Sequence, residues 1–170
     1  MSNLKARGKV TFNARTIAIT GITAAVYLAA TLLIAPLGFE AVQFRISEVM
    51  VLLCYIDPVF GPGLILGCAL ANCFSPFFII DIFTGTLATA FVVFMINRTR
   101  SLMVATLWPT VSGLIIAVGI TLAYHTPYWL NAAAVMIGQF VVVTIIGYPV
   151  FRLIMKNERL MVLLRTGKRC

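Results

Sequence analysis

The sequence predicts an all-α integral membrane protein of six transmembrane helices with both termini in the cytoplasm. Hydrophobic residues make up 61% of the 170-residue chain and charged residues only 11%, against about 25% charged in a soluble domain. Mean hydropathy is +1.03. The apolar residues run in long stretches broken by Pro, Gly and polar turns. The formal net charge of +8 comes from basic residues gathered at the two ends and in one loop. Clusters of that kind set membrane topology and contact anionic lipid rather than nucleic acid.

The elements follow in order. Residues 1–14 form a basic cytoplasmic segment with Lys5, Arg7 and Lys9. Residues 15–155 hold the spans, and 156–170 form a basic cytoplasmic tail. Helix one runs from about Arg15 to Leu37. Its uncharged stretch from Thr16 to Phe39 is too long for a signal-peptide core, so it reads as a retained span. A short second helix begins near Ile46 and stops at Asp57-Pro58. The Gly61-Pro62-Gly63 turn starts a third, from about Leu64 to Phe74. The second and third are too short for ordinary straight spans. The fourth covers about Phe78 to Asn97, and the fifth about Leu102 to Tyr124, where His125-Thr126-Pro127 breaks it. The sixth covers about Leu130 to Phe151, anchored by Arg152 and Lys156.

Basic residues crowd both ends, so both ends are cytoplasmic and the span count is even. Arg98 and Arg100 put the loop after helix four inside too. Loops one, three and five then face outside. They carry or border Glu40, Gln43 and Arg45, then Asn72 and Asp81, then His125, Tyr128, Trp129 and Asn131. A polar pocket open to the outside follows from orientation.

Ionisable groups at bilayer depth are costly and usually functional, which singles out Glu48 and Asp81. Arg45 and Glu48 are three residues apart, on one helix face. They form either a structural ion pair or a site where Glu48 accepts hydrogen bonds from a ligand. Asp81 either caps helix four or reads a ligand. Asn72 either bonds backbone across a helix pair or faces a ligand. His125 is a loop residue beside a proline. Tyr128 and Trp129 belong to an aromatic belt or stack on a planar ligand. Gln139, mid-span, faces protein or ligand because lipid would leave its amide unpaired. Gly21, Ala25 and Ala29 form one small-residue stripe, and Gly63, Gly67 and Ala71 another. Each is internal packing or a docking face for a partner. Cys54, Cys68 and Cys73 read as buried packing residues and match no zinc or redox motif. No GxxxxGK[ST] loop is present, so ATP hydrolysis by that route is excluded.

The strings Gln43-Phe44-Arg45-Ile46-Ser47-Glu48, Gly63-Leu64-Ile65-Leu66-Gly67-Cys68, Ala71-Asn72 and Asp81-Ile82-Phe83-Thr84-Gly85-Thr86-Leu87-Ala88-Thr89 together resemble the QueT family. The resemblance spans Gln43 to Thr89; Phe77-Phe78 departs from the smaller residues expected there, and the last third is similar only in general character. It implies an S-component-like bundle, the substrate-binding subunit of an energy-coupling factor (ECF) transporter in a bacterial plasma membrane. The implied ligand is a queuosine precursor, a 7-deazaguanine derivative captured from outside. The implied partners are a transmembrane coupling protein and two cytoplasmic ATPases, with no cofactor and no metal. Glu48, Arg45, Gln43, Asn72 and Asp81 are the expected substrate contacts. Gln139, Trp129, Tyr128, Asn131 and His125 join them on topology alone. The Gly21, Ala25, Ala29 stripe matches the face with which S components meet the coupling protein. The alternative reading is a stand-alone carrier or channel for another small planar solute; a carrier is expected to show repeat symmetry between its halves, and none is visible.

Overall fold

The computed structural model describes residues 13–33, 45–75 and 78–165. They form α1 (Ala14–Leu33), α2 (Ile46–Ile56), α3 (Pro58–Asn72), α4 (Phe78–Arg98), α5 (Leu102–Tyr124), α6 (Tyr128–Lys156) and α7 (Glu158–Leu164), with no strand among the described residues. Four of these helices, α1, α4, α5 and α6, are long and apolar enough to cross a membrane, while α2 and α3 are shorter apolar helices.

Contacts between helices give their relative directions. Gly63 of α3 sits on Thr20 and Thr23 of α1, and Gly67 on Ala24 and Tyr27, so α1 and α3 run parallel. Gly61 meets Cys54 of α2 and Val93 of α4, while Arg45 and Gly85 both reach Asn72. Hence α2 and α4 both run against α3. Gly119 sits on Thr84, and Trp108 packs edge-on against Phe91, so α5 opposes α4. Thr144 bonds the Thr106 carbonyl at 3.1 Å, and Asn131 bonds Thr121 at 2.9 Å, so α6 opposes α5. Direction therefore alternates from α1 to α6. Arg15, Arg98, Arg100, Arg152 and Lys156 share one end of the bundle; Arg45, Asn72, Asp81 and Asn131 lie toward the other.

Two boundaries differ from the sequence expectation, each through proline chemistry. The third helix starts at Pro58, not Leu64. Asp57 Oδ1 accepts from Val59 N at 3.0 Å and opens the helix. After the 3₁₀ turn Pro58–Phe60, the α-helical part begins at Gly61, and Pro62 falls in its first turn, where its missing N–H costs little. The sixth helix continues past Phe151 to Lys156, and from Phe140 to Gly147 it widens to a π-helix. Pro149 has no N–H for the Ile145 carbonyl and its ring crowds that carbonyl; the wider turn just ahead of it relieves both. Gln43 lies outside the described residues. Cys54 and Cys68 are buried as expected, but Cys73 is exposed, because it falls one residue past the end of α3.

The main core gathers Tyr27, Leu52, Leu64, Cys68, Val92, Ile96 and Val143 from α1, α2, α3, α4 and α6. A smaller cluster, Ala88, Ile116, Ile120 and Val135, fills the α4–α5–α6 junction. Ile17, Phe83, Leu87, Leu122 and Ile137 face outward, as lipid contact requires. The two small-residue stripes part company. A Cβ on Gly63 would stand 2.7 Å from the Thr20 carbonyl oxygen, and one on Gly67 2.9 Å from Tyr27 Cβ. The α3 stripe is therefore an internal seam. A Cβ on Gly21 would meet nothing within 4 Å, and Ala25 and Ala29 are exposed. The α1 stripe lies on the outer surface.

Gly63→Val should therefore destabilise the fold by about 1–3 kcal/mol through overpacking, seen as a lower thermal midpoint in detergent. Gly21→Val, with open space around it, should change stability by no more than about 0.5 kcal/mol. Equal losses at both positions would refute the seam assignment.

Candidate functional site

The polar residues at the Asn72 end assemble from four helices. Arg45 stands just ahead of α2 in extended backbone, and residues Ile46–Leu52 form a 3₁₀ helix. The Glu48 N–H bonds the Arg45 carbonyl at 3.0 Å, and this first turn brings the two residues close together. Both are buried, Glu48 to 4% exposure. A buried charge needs partners, and each has them. Tyr27 Oη of α1 donates to Glu48 Oε1 at 2.7 Å. Arg45 Nη2 donates to Asn72 Oδ1 at 2.8 Å.

Asn72 is the hub. Its Nδ2 donates to the Asp81 backbone carbonyl at 2.9 Å and to Cys68 Sγ at 3.5 Å. Gly85 leaves the room it occupies: a Cβ there would fall 2.2 Å from Asn72 Nδ2. Asn72 thus ties α2 to α4, and its amide is fully engaged within the protein. The Asp81 carboxylate accepts from Ser75 Oγ, closing the turn between α3 and α4. Beside Tyr27, Thr31 Oγ1 bonds the Tyr27 carbonyl and Ser47 Oγ, each at 2.8 Å.

The remaining candidates lie at the α5–α6 corner and on α6. His125 adopts a left-handed backbone (φ 54°) and ends α5, its N–H bonding the Thr121 carbonyl at 3.0 Å; its side chain is exposed. Asn131 is buried and saturated, with Nδ2 donating to Thr121 Oγ1 at 2.9 Å and Thr126 Oγ1 at 2.8 Å. Tyr128 and Trp129 pack edge-on with centroids 5.0 Å apart, and Trp129 is 77% exposed. That is the disposition of an aromatic belt. Gln139 is different: it is 1% exposed, and neither amide atom has a hydrogen-bond partner. The surface groove on α7, lined by Glu158, Arg159, Val162 and Leu163, contains none of these residues.

Arg45, Glu48, Asn72 and Asp81 thus come together, while His125, Tyr128, Trp129 and Asn131 form a separate corner. Tyr27, Ser47, Cys68 and Gly85 enter the network without having been singled out as site residues. Tyr27 is the one phenol inside the apolar run of α1, and that placement is the signal that identifies it.

A family model described as QueT transporter matches residues 17–156, most of the chain. No curated protein and no solved structure gives a match.

Gly85→Ala and Asn72→Ala should each destabilise the protein, because the first displaces the amide and the second leaves the Arg45 guanidinium short of an acceptor. A double-mutant cycle on thermal unfolding should give a coupling of about 0.5–3 kcal/mol. Strict additivity would show that Gly85 does not act through Asn72.

Proposed function

The chain belongs to the QueT transporter family, and we propose that it is the substrate-binding S component of an ATP-driven ECF uptake system that captures a queuosine precursor from outside. Family membership makes it a membrane transport protein rather than an enzyme. In the proposed topology six spans cross a bacterial plasma membrane with both termini in the cytoplasm. The end bearing Arg15, Arg98, Arg100, Arg152 and Lys156 is the cytoplasmic one, by the excess of positive charge. The polar network then lies toward the outer side.

The observation that carries the reading is Glu48, a carboxylate buried at bilayer depth and holding a hydrogen bond from Tyr27. A carboxylate has about four acceptor sites, so capacity for a ligand remains. A guanine-like edge presents an N–H and an NH₂ side by side, which is what a carboxylate accepts best. An aminomethyl cation on the precursor suits a second acid, and Asp81 is joined to Arg45 through Asn72, whose amide bonds both residues. Partners follow from α1. Its exposed Gly21, Ala25, Ala29 stripe lets another helix approach closely, and the proposed occupant is the transmembrane coupling protein, which two cytoplasmic ATPases drive.

Glu48→Gln should weaken binding of a 7-deazaguanine such as preQ1 by about 1.5–3 kcal/mol, measured by calorimetry on the purified chain, with insertion retained. Unchanged affinity with a lost thermal transition would make Glu48 purely structural.

Ala25→Leu or Ala29→Leu should leave ligand affinity intact and abolish uptake in cells, since bulk blocks close helix approach. Uptake by the unmutated chain in cells without a coupling protein would instead favour a stand-alone carrier.

Orientation has its own check. In a background without native cysteines, a cysteine at Tyr128 should react with an impermeant thiol reagent in intact cells, and one at Thr99 only after lysis. Labelling at Thr99 from outside would invert the molecule.

A further inference from the structure

Gln139 sits mid-way along α6, one residue before the π-helical segment Phe140–Gly147. Its amide is buried, and both Nε2 and Oε1 are without a partner. The register of the α5–α6 seam shows what it faces. Thr106 on α5 meets Thr144 on α6, and Gly113 meets Val135 and Met136. Between these contacts α5 steps 106, 110, 113, while α6 steps 135, 139, 144. The five-residue step is the π-helical one, and it keeps Gln139 on the seam with Val135 and Thr144. Thr110 therefore lies opposite Gln139, and its Oγ1 is also buried without a partner. Pro109, next to Thr110, interrupts the backbone hydrogen bonding of α5 on the same turn. The π-helix packs in turn on the helix that carries Glu48: a Cβ on Gly147 would touch Leu52 and Val49.

Buried orphan amides are rare, because each unmet group keeps its full desolvation penalty. The buried amides of Asn72 and Asn131 are hydrogen-bonded within the protein; Asn97 leaves only its Oδ1 unmet, whereas Gln139 leaves both amide atoms so. A primary amide presents one donor and one acceptor side by side. Its complement is a cis lactam, whose carbonyl accepts from Nε2 while its ring N–H donates to Oε1. A hydroxyl such as Thr110 can serve a further polar atom of the same ring.

We infer that the Gln139 amide, with the Thr110 hydroxyl opposite, is the specificity-determining contact that reads the lactam edge of a planar heterocyclic ligand within the α5–α6 seam. This rests on the proposed role of the chain as the binder of such a ligand. It divides the duties of the site: the seam takes the lactam carbonyl and its ring N–H, and Glu48 is then left the exocyclic NH₂ alone or a cationic donor, rather than the N–H and NH₂ pair.

The test uses the full chain in detergent, with 7-deazaguanine as the lactam probe and 2-amino-7-deazapurine, which lacks the lactam, as the control. The unmutated protein should prefer the lactam. Gln139→Leu should lose roughly tenfold in affinity for it and lose the preference, while its thermal midpoint without ligand holds or rises because an unmet polar group has been removed. Thr110→Val should lower affinity less, with the same stability signature. Retained affinity and preference in Gln139→Leu would mean that the amide meets only water, and would overturn the inference while leaving the proposed function standing. A drop in midpoint together with affinity would make Gln139 structural and overturn it equally. Failure of the unmutated chain to bind either probe would overturn the inference through the reading beneath it.

Discussion

A guanidinium and a carboxylate buried together in an apolar bundle constrain everything around them. Neither Arg45 nor Glu48 can be left without partners in an apolar interior, since leaving a buried charge unpaired costs about 3–5 kcal/mol. Their neighbours are accordingly drawn from other helices: Tyr27 from α1, Asn72 from α3 and, through Asn72, the start of α4. The 3₁₀ winding of Ile46–Leu52 begins directly at Arg45, whose carbonyl accepts from the Glu48 N–H at 3.0 Å. The network is thus a fastener between helices as well as a set of groups suited to a ligand.

That fastener works only because the backbones come close. In lipid there is little hydrophobic drive between helices, and association depends on van der Waals fit and hydrogen bonds. Gly63 and Gly67 admit α1 against α3, Gly119 admits α4 against α5, and Gly85 admits the Asn72 side chain. The α1 stripe has the same composition and the opposite placement. One helix therefore carries two faces: Thr23, Ala24 and Tyr27 inward, and Gly21, Ala25 and Ala29 outward. The inward face builds the site, and the outward one is free to meet another membrane helix.

Polar groups in a membrane interior have no water to fall back on. Most here are answered locally: Thr89 bonds the Gly85 carbonyl, Ser112 the Pro109 carbonyl, and Thr144 the Thr106 carbonyl across the seam. Against that background the unanswered amide of Gln139 stands apart, beside a proline on one helix and a π-helix on its own. Local strain and unmet hydrogen bonds concentrate where a fold has been shaped for something other than its own stability.

Composition and the placement of bases were enough to read an all-helical membrane protein, the order of its six apolar segments, and the grouping of polar residues toward one end. These features depend on the solvent a residue prefers and on helical period, both of which are local. The three-residue spacing of Arg45 and Glu48 was legible for the same reason. What a side chain does once another helix arrives was not. Asn72 and Asn131 looked like equals of Gln139 until neighbouring helices engaged the first two and left the third unmet. Either small-residue stripe could have been the internal seam, since both have the same spacing; only the parallel docking of α1 on α3 decided between them. The phenol of Tyr27 in an apolar run was a sequence signal, but its partner, a carboxylate 21 residues away, and the space Gly85 leaves for an amide exist only between helices.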